Sequence, residues 1–279
     1  MVSCDLSAAF DTIDHRLMVE KLEKCVGLRG SALELLTDYL PGRRQRCLLR
    51  EQAPGSWQPI EYGVPQGSVL GPLLFALYCA DIGQALQGIQ VVQYADDLTL
   101  VLRARTVNEL QRITNEALRH FSEWATANRM SPEPNKTQLL LSGTPAKLRQ
   151  GFHEFACELQ GCALRPTAIR GHEVVSASSP SDNVIKILGV LLDPQLSWEA
   201  QTAKAAVAAK GAAFSIQRAS RYLTNVERVS LVQALSLPYL DYCQTVQAGQ
   251  SAQARDTARR AYGNDAKATR VSARRRSDA

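Results

Sequence analysis

Apolar and polar positions alternate in two parts of the chain that also carry acidic residues. Residues 2–7 are apolar at every second position, which predicts a strand with Asp5 on the face opposite the apolar set. Two apolar runs, 90–93 and 98–102, flank residues 94–97, and this arrangement predicts a β-hairpin with two adjacent acids at its tip. Both segments therefore place carboxylates beside apolar strands.

Apolar residues recur at helical spacing in several longer segments. The predicted helices cover 13–28, 33–40, 73–86, 107–124, 198–222 and 226–237. Further short strands are predicted at 46–50, 57–62, 138–141 and 185–192. A glycine-rich stretch, 63–71, precedes the third helix, for which Ser68 is the expected cap and Pro72 an expected first-turn residue.

The composition is that of a folded globular protein. Of the 279 residues 45% are hydrophobic and 21% are charged, which excludes collagen-like and fully disordered chains. The uncharged stretch 62–80 contains too many glycine, proline and polar residues to span a bilayer as a helix. Acids stand near the N-terminus where a signal peptide needs basic residues. We therefore expect an intracellular protein that is not secreted and has no membrane segment, with nucleus or cytoplasm left open.

The net charge of +5 is concentrated at the C-terminal end. Residues 251–279 contain eight Lys or Arg and three Asp, whereas residues 1–250 contain 24 basic and 24 acidic side chains. We predict that 249–279 form a disordered basic tail. The tail is either a solvated extension or an arm that binds phosphates.

The seven cysteines are scattered and odd in number, which argues against a disulfide framework. Cys157 and Cys162 lie between His153 and His172, so a zinc site is an alternative for this segment. Their neighbours are largely apolar, which favours core strands instead.

Three acids lie beside the apolar strands and need a partner, because burying an unpaired carboxylate is costly. They are Asp5, Asp96 and Asp97, and nothing in the local sequence neutralises them. Carboxylate oxygens suit Mg²⁺, which commonly takes one or two of them and completes its shell with water and phosphates. An Asp-Asp β-turn without a metal is the alternative that the spacing alone leaves open.

Several segments resemble, in the same order, the motifs of non-LTR (LINE-type) retrotransposon reverse transcriptases. Residues 94–97, Tyr-Ala-Asp-Asp, resemble the catalytic box, residues 5–15 resemble motif A, and residues 63–75 resemble motif B. Further matches are found at 42–46, 135–138 and 188–198. The resemblance covers about residues 1–245.

The resemblance implies an α+β fold: a right-hand polymerase palm, in which helices pack on an antiparallel sheet, with a small helical thumb. The implied division is 1–145 for the palm with motifs A to D, 146–195 for a palm-thumb connection with the primer-grip hairpin, 196–248 for the thumb and 249–279 for the tail. Because motif A begins at Asp5, we expect the fingers to be largely missing and the chain to be a fragment of a longer protein.

The resemblance also implies roles for the acids and for the nucleotide pocket. Asp5, Asp96 and Asp97 would hold two catalytic Mg²⁺ ions, with Mn²⁺ as a possible substitute. The nucleotide-binding residues would be Leu6, Phe10, Pro65, Gln66 and Gly67. Phe10 would act as the gate against a ribose 2′-hydroxyl.

Other implied roles lie outside the nucleotide pocket. Lys136 would donate a proton to pyrophosphate, Leu188 and Gly189 would form the primer grip, and Arg43 and Arg44 would contact the template. For the lysine and the two arginines, a solvated surface position is the alternative.

The implied activity is RNA-directed DNA synthesis, in which a primer 3′-hydroxyl attacks a dNTP. Its partners would be an RNA template, a DNA primer and dNTP, and the oligomeric state is left open. The first alternative is a catalytically dead remnant that at most binds nucleic acid, which the expected lack of fingers favours, as does Glu133, where the family usually has asparagine. The second is an RNA-dependent RNA polymerase, since Asp11 could read a 2′-hydroxyl; Phe10 and motif B favour DNA synthesis.

Overall fold

The computed structural model describes residues 1–48 and 55–244, which form parts of two compact units. The first unit comprises Met1–Leu139 and His153–Pro166, and the second comprises Leu140–Phe152 and Thr167–Ala279. The predicted tail, 249–279, lies outside the described residues, and the predicted domain boundaries stay predictions. The mixture of helices with antiparallel strands is the expected α+β class.

The first unit is built on antiparallel strand pairs. Its strands are β1 (Val2–Cys4), β2 (Leu6–Ser7), β3 (Arg44–Gln45), β4 (Gln58–Pro59), β5 (Gln90–Tyr94), β6 (Asp97–Val101), β7 (Ser131–Pro132), β8 (Gln138–Leu139), β9 (Cys157–Leu159) and β10 (Cys162–Leu164). Its helices are α1 (His15–Lys24), α2 (Ser31–Tyr39), α3 (Gly71–Tyr78), α4 (Ile82–Ala85) and α5 (Val107–Ala127).

Strand β1 lies inside a four-stranded antiparallel sheet of order β5, β6, β1, β8. All three β1 residues are buried, and the facing Leu98 and Leu100 of β6 are buried as well. The strand predicted over 2–7 is confirmed, but it is divided at Asp5. Before Asp5 the chain pairs with β6 and β8, and after it β2 pairs with β7.

The long helix predicted over 107–124 is confirmed as α5, and Thr106 caps it by accepting a hydrogen bond from the Glu109 N–H. The helix predicted over 73–86 is divided into α3 and α4. The chain turns at 79–81, where the Asp81 carboxylate accepts hydrogen bonds from Lys21 Nζ at 2.8 Å and Trp124 Nε1 at 2.9 Å. A tertiary contact thus accompanies a break that helical spacing does not predict.

Two predicted helix starts and one predicted strand pair differ in detail from the structure. Helix α1 begins at His15, not at residue 13, because Asp14 caps it. Leu70, and not the predicted Ser68, is the cap residue of α3, although the Ser68 hydroxyl accepts a hydrogen bond from the Gly71 N–H. The strand predicted at 57–62 is confirmed in part, since β4 lies within it. The strand predicted at 46–50 is wrong in position over its described residues, because the chain pairs at β3 instead, and residues 49–54 lie outside the described residues.

The second unit contains two hairpins and four α-helices in its described part. The strands are β11 (Thr167–Arg170), β12 (Glu173–Ser176), β13 (Ile185–Ile187) and β14 (Val190–Leu192). The helices are α6 (Pro145–Gly151), α7 (Glu199–Ala219), α8 (Asn225–Leu235) and α9 (Leu237–Asp241). The predicted helical pair is confirmed as α7 and α8, and the strand predicted over 185–192 is the β13–β14 hairpin.

One buried carboxylate organises the start of α7. Asp193 accepts hydrogen bonds from the backbone N–H groups of Gln195, Ser197 and Trp198 at 3.0 to 3.1 Å, and from the Ser197 hydroxyl. Trp198 has left-handed backbone, with φ of 66°, and its side chain is buried. The carboxylate therefore satisfies donors that the turn into α7 would leave without partners.

We expect Asp193→Ala to lower the free energy of unfolding by about 1 to 3 kcal/mol, because these donors lose their acceptor. Ser197→Ala removes a single hydroxyl from the same turn and should have a smaller effect. Thermal unfolding of the full chain, followed by circular dichroism, measures both changes. A melting temperature for Asp193→Ala equal to that of the wild type would contradict the assignment.

Cys157 and Cys162, the pair considered for a zinc site, lie in strands β9 and β10. All seven cysteines are free thiols, and burial raises the pKa of both Cys4 and Cys157 to about 12. Within residues 1–48 and 55–244, no three or more His, Cys, Asp or Glu side chains form a group that could hold a metal ion. In the same ranges no helix has the length and apolar character needed to cross a bilayer.

Candidate active site

The strand pairing brings the three predicted catalytic acids to one end of the central sheet. Cys4 pairs with Leu98 across β1 and β6, so Asp5 follows β1 where Asp97 begins β6. Tyr94 pairs with Asp97, which leaves Ala95 and Asp96 as a two-residue turn. Ala95 has a φ of 51°, a left-handed conformation that costs about 1 to 2 kcal/mol outside glycine. The hairpin predicted from the apolar runs is confirmed.

The acids affect one another electrostatically. Partial burial raises the pKa of Asp5; among its neighbours Lys136 lowers it, while Asp96 and Glu133 raise it. Partial burial also raises the pKa of Asp97, and the charges of Asp96 and Asp5 raise it further. This end of the sheet thus concentrates negative charge that a bound cation would relieve.

Lys136 reaches the same acids from the segment after β7. Its Nζ lies 3.7 Å from Asp5 Oδ2, with 66% of its side chain exposed. The Glu133 N–H donates a hydrogen bond to the Asp5 carbonyl at 2.9 Å, and the Lys136 N–H donates to the Glu133 carbonyl at 3.2 Å. The backbone therefore holds this lysine beside Asp5, where the resemblance placed a proton donor.

The segments that resemble motifs A and B pack directly on each other. The Phe10 ring stacks on Phe75 of α3, with ring centroids 4.4 Å apart. The Val64 N–H donates to the Phe10 carbonyl at 3.0 Å, and the Gly63 N–H donates to the Ile13 carbonyl at 2.7 Å. These contacts hold the Phe10 ring against a buried partner.

Beside this contact lies an open cleft of about 770 Å³. Its lining includes Arg43, Arg44, Pro65 and Gln66, so the structure brings predicted template-binding and nucleotide-binding residues together. Gln66 Nε2 donates a hydrogen bond to the Asp11 carboxylate at 3.2 Å. The cleft thus has both cationic and hydrogen-bonding groups on its walls.

The remaining predicted nucleotide residues differ in exposure. Gly67 has a φ of 83° and no atom near the position of a Cβ, so the backbone there is open to a close approach. Leu6 lies in β2 with its side chain buried. Leu6 can therefore contact a nucleotide mainly through its backbone.

The comparison with known proteins agrees with this arrangement. The family model described as "Reverse transcriptase (RNA-dependent DNA polymerase)" matches residues 1–192, which include Asp5, Asp96 and Asp97. The chain belongs to the reverse transcriptase family. The predicted resemblance to non-LTR retrotransposon reverse transcriptases is confirmed.

Individual reverse transcriptase relatives match parts of the chain. A probable RNA-directed DNA polymerase from transposon X-element of Drosophila melanogaster is 29% identical over 198 residues, which are 70% of this chain and 19% of that protein. The RNA-directed DNA polymerase from mobile element jockey of Drosophila funebris is 30% identical over 128 residues, 43% of this chain and 14% of that protein. The matched region is therefore about a fifth or less of the length of these relatives.

Reverse transcriptases generally use divalent metal ions, so the acids can be tested as ligands. Asp5 and Asp97 supply hard carboxylate oxygens, and they lie close enough that the charge of Asp5 raises the pKa of Asp97. In the described ranges they do not form a group of three metal ligands by themselves. The donor set fits Mg²⁺, which needs only one or two protein carboxylates when water and phosphates complete its shell.

The predicted primer-grip residues lie in the second unit. Leu188 and Gly189 form the turn between β13 and β14, as the resemblance implied. The Tyr242 hydroxyl donates to the Leu188 carbonyl at 2.6 Å, and Lys204 Nζ donates to the Gly189 carbonyl at 3.2 Å. Two side chains from helical segments therefore hold the carbonyls of this turn.

Some contacts of the reverse transcriptase site are not evident from the sequence. His15 begins α1 as expected, but its Nε2 also contacts the Gly63 carbonyl at 2.7 Å. Asp14 forms an ion pair with Arg129 at 2.8 Å, in addition to capping α1. Asp14 and His15 both lie within residues 5–15, the segment that resembles motif A. That resemblance is the only sequence signal that could have indicated their role.

Proposed function

We propose that the chain carries the nucleotidyl-transfer site of a non-LTR retrotransposon reverse transcriptase. The reaction is attack of a primer 3′-hydroxyl on the α-phosphate of a dNTP, directed by an RNA template, with pyrophosphate leaving. The observation that carries the proposal is the meeting of Asp5 and Asp97 at the end of β1 and β6, with Asp96 in the adjoining turn. The charges of Asp96 and Asp5 raise the pKa of Asp97, and a carboxyl group perturbed by neighbouring acids in this way is typical of a functional site.

Asp5, Asp96 and Asp97 would hold two Mg²⁺ ions, or Mn²⁺ in their place. When bound, the ions supply positive charge that activates the hydroxyl and neutralises the phosphates. Lys136 would give its Nζ proton to the departing pyrophosphate. Its ion pair with Asp5 supports this role, because it keeps the ammonium group at the acids.

The contacts of the first unit support a role in nucleotide selection. Phe10 would exclude a ribose 2′-hydroxyl, because stacking on Phe75 limits movement of its ring. Gln66 and Pro65 would contact the nucleotide, while Arg43 and Arg44 across the cleft would contact template phosphates. We further propose that the first unit is the palm and that α7 and α8 are the thumb.

The hydrogen bond from Gln66 to Asp11 bears on the choice between dNTP and rNTP. An RNA polymerase would need the Asp11 carboxylate to accept from a ribose hydroxyl. Here that carboxylate accepts a hydrogen bond from Gln66 Nε2, which ties Asp11 to the motif B segment, and Phe10 together with motif B favours DNA synthesis. Equal incorporation of dNTP and rNTP would favour the RNA polymerase alternative.

Primer extension on an RNA template tests the proposed activity. The wild-type chain, with Mg²⁺ or Mn²⁺, is expected to extend a DNA primer, and Asp96→Ala is expected to give no extended product. Binding of the primer–template to both proteins is measured in parallel. Equal extension by the two proteins would reject the proposal, and binding without extension by the wild type would favour the non-catalytic alternative.

A further inference from the structure

One side chain takes part in joining the end of the motif A segment to the start of the motif B segment. His15, the first residue of α1, lies with its Nε2 2.7 Å from the Gly63 carbonyl, 48 positions away. A carbonyl oxygen only accepts hydrogen bonds, so Nε2 carries the proton and donates it. Gly63 is buried, and a buried carbonyl needs such a partner.

The imidazole of His15 and the backbone of Phe10 hold the two ends of one peptide group. The Gly63 carbonyl accepts from His15. The Val64 N–H, which belongs to the same planar unit, donates to the Phe10 carbonyl at 3.0 Å. Two hydrogen bonds on opposite ends of the plane fix its rotation. Without the imidazole the plane is free to turn about Gly63, because glycine has no Cβ to restrict its backbone.

The residues that follow this peptide form the turn that carries the predicted nucleotide-binding residues. The Ser68 N–H donates to the Pro65 carbonyl at 3.2 Å, and Gly67 has a φ of 83°, as a β-turn with glycine at its third position requires. The Ser68 hydroxyl also donates to the Pro65 carbonyl, at 2.7 Å, and accepts from the first N–H of α3 at 3.0 Å. The far end of the turn is therefore fixed to α3, and its near end joins the peptide that His15 holds.

Proline transmits the orientation of the held peptide to the nucleotide site. Pro65 has a fixed φ and disfavours helical backbone at the residue before it, so the link from this peptide to Gln66 is stiff. Gln66 lines the cleft of about 770 Å³. His15 lines another cleft, of about 490 Å³. The imidazole therefore acts on the nucleotide site through the turn.

The position of the imidazole is set in advance by the residue that precedes it. Asp14 Oδ1 accepts hydrogen bonds from the Arg16 and Leu17 N–H groups at 2.9 and 3.0 Å, which fixes the first turn of α1. Asp14 Oδ2 forms an ion pair with Arg129 at 2.8 Å. His15 thus starts from an anchored backbone and loses little freedom in making its hydrogen bond.

We propose that His15 is a positioning residue for nucleotide binding: by holding the Gly63–Val64 peptide, it keeps the turn at Gln66 in the place that receives the incoming dNTP. Since this role belongs to the same site, it rests on the proposed function. When His15 is lost, a smaller fraction of molecules has the turn in place, and the apparent affinity for dNTP falls by that fraction. The catalytic acids are held by β1 and β6, so the chemical step should change little.

The test measures primer extension by the full chain as a function of dNTP concentration. His15→Ala is expected to raise KM for dNTP about tenfold and to change kcat by less than about threefold. His15→Gln places an amide Nε2 donor near the position of the imidazole Nε2, and should return KM to within about threefold of the wild type. The matched control is His120→Ala, which removes a half-buried histidine from α5 of the same unit and should leave both constants unchanged.

Three results would overturn the proposal: an unchanged KM in a folded His15→Ala variant, a fall in kcat alone, or a His15→Gln variant as impaired as His15→Ala. The last result would show that packing of the ring, and not its hydrogen bond, is what matters. Should His15→Ala not fold, His15→Asn takes its place, because its amide is one methylene too short to reach the carbonyl. An unchanged KM in His15→Asn would likewise reject the role.

A binding measurement separates the role of His15 from the proposed activity. The affinity of a fluorescent dNTP for the full chain is measured with Mg²⁺ and a primer–template whose primer ends in a dideoxynucleotide, so no turnover is needed. A wild type that binds dNTP but extends no ordinary primer rejects the proposed activity. The ratio of dNTP affinities between the wild type and His15→Ala still decides the role of His15. Equal affinities, or no binding by the wild type, would reject that role.

Discussion

Replacing Asp97 with asparagine is expected to abolish primer extension and, without divalent metal, to raise the melting temperature of the protein. The loss of activity should be at least about a hundredfold to a thousandfold, since electrostatic stabilisation is usually the largest contribution to such reactions. The gain in stability follows from the electrostatics of the site. Burial and the charges of Asp96 and Asp5 raise the pKa of Asp97, so its ionised form is disfavoured in the folded chain.

The sign of the pH dependence follows from the same shift. A carboxyl group whose pKa is raised on folding binds its proton more tightly in the folded state. Its stabilising contribution is therefore present below the ordinary Asp pKa of about 3.9 and is lost as the pH rises through the raised value. At neutral pH the charged group costs stability, and the uncharged asparagine removes that cost.

The same melting-temperature measurement is repeated with added Mg²⁺. Added Mg²⁺ should raise the melting temperature of the wild type, because it binds the folded state, and should raise that of Asp97→Asn less. Asp38→Asn, which alters an exposed acid of α2, is the control and should change neither activity nor the response to Mg²⁺. A lower melting temperature for Asp97→Asn than for the wild type in EDTA would contradict this account.

Gly63→Ala is expected to disrupt both stability and activity, because Gly63 joins the motif A and motif B segments. A Cβ at Gly63 would lie 2.9 Å from Asp11 Cα and 3.0 Å from the carbonyl oxygens of Phe10 and Asp11. These are backbone atoms, so relief requires the two segments to separate. Gly63 also has a φ of 85°. Left-handed backbone costs about 1 to 2 kcal/mol and overpacking about 1 to 3, for a total loss of about 2 to 5 kcal/mol.

Gly88→Ala is the matched control for Gly63→Ala. Gly88 belongs to the same unit and has a φ of 79°, but nothing lies within 4 Å of its Cβ position. Gly88→Ala should therefore lower the free energy of unfolding only by the cost of left-handed backbone, about 1 to 2 kcal/mol. Thermal unfolding measures the stability of both variants. Primer extension measures whether Phe10 and Gln66 remain in the positions that activity requires. Equal destabilisation by the two substitutions would show that the contact with Asp11 is unimportant.

The sequence alone determined the family, the acids and most of the regular elements. The reason is that these features are local: the hairpin at residues 90–101 and helix α5 follow from hydrophobic periodicity, and the motif A and motif B segments are contiguous. The same periodicity predicted β1 and β2 as one strand. Their division at Asp5 depends on which strands pair on each side, and this pairing involves residues more than ninety positions away.

Only the tertiary structure decided which distant side chains meet. Asp81, in the turn that separates α3 from α4, binds Lys21 and Trp124, and neither contact can be read from local spacing. The ion pair of Lys136 with Asp5 and the hydrogen bond from Tyr242 to the Leu188 carbonyl likewise join residues from separate elements. The hydrophobic period of a helix or strand determines which face of that one element is buried. A site made of several elements also depends on how those elements pack together.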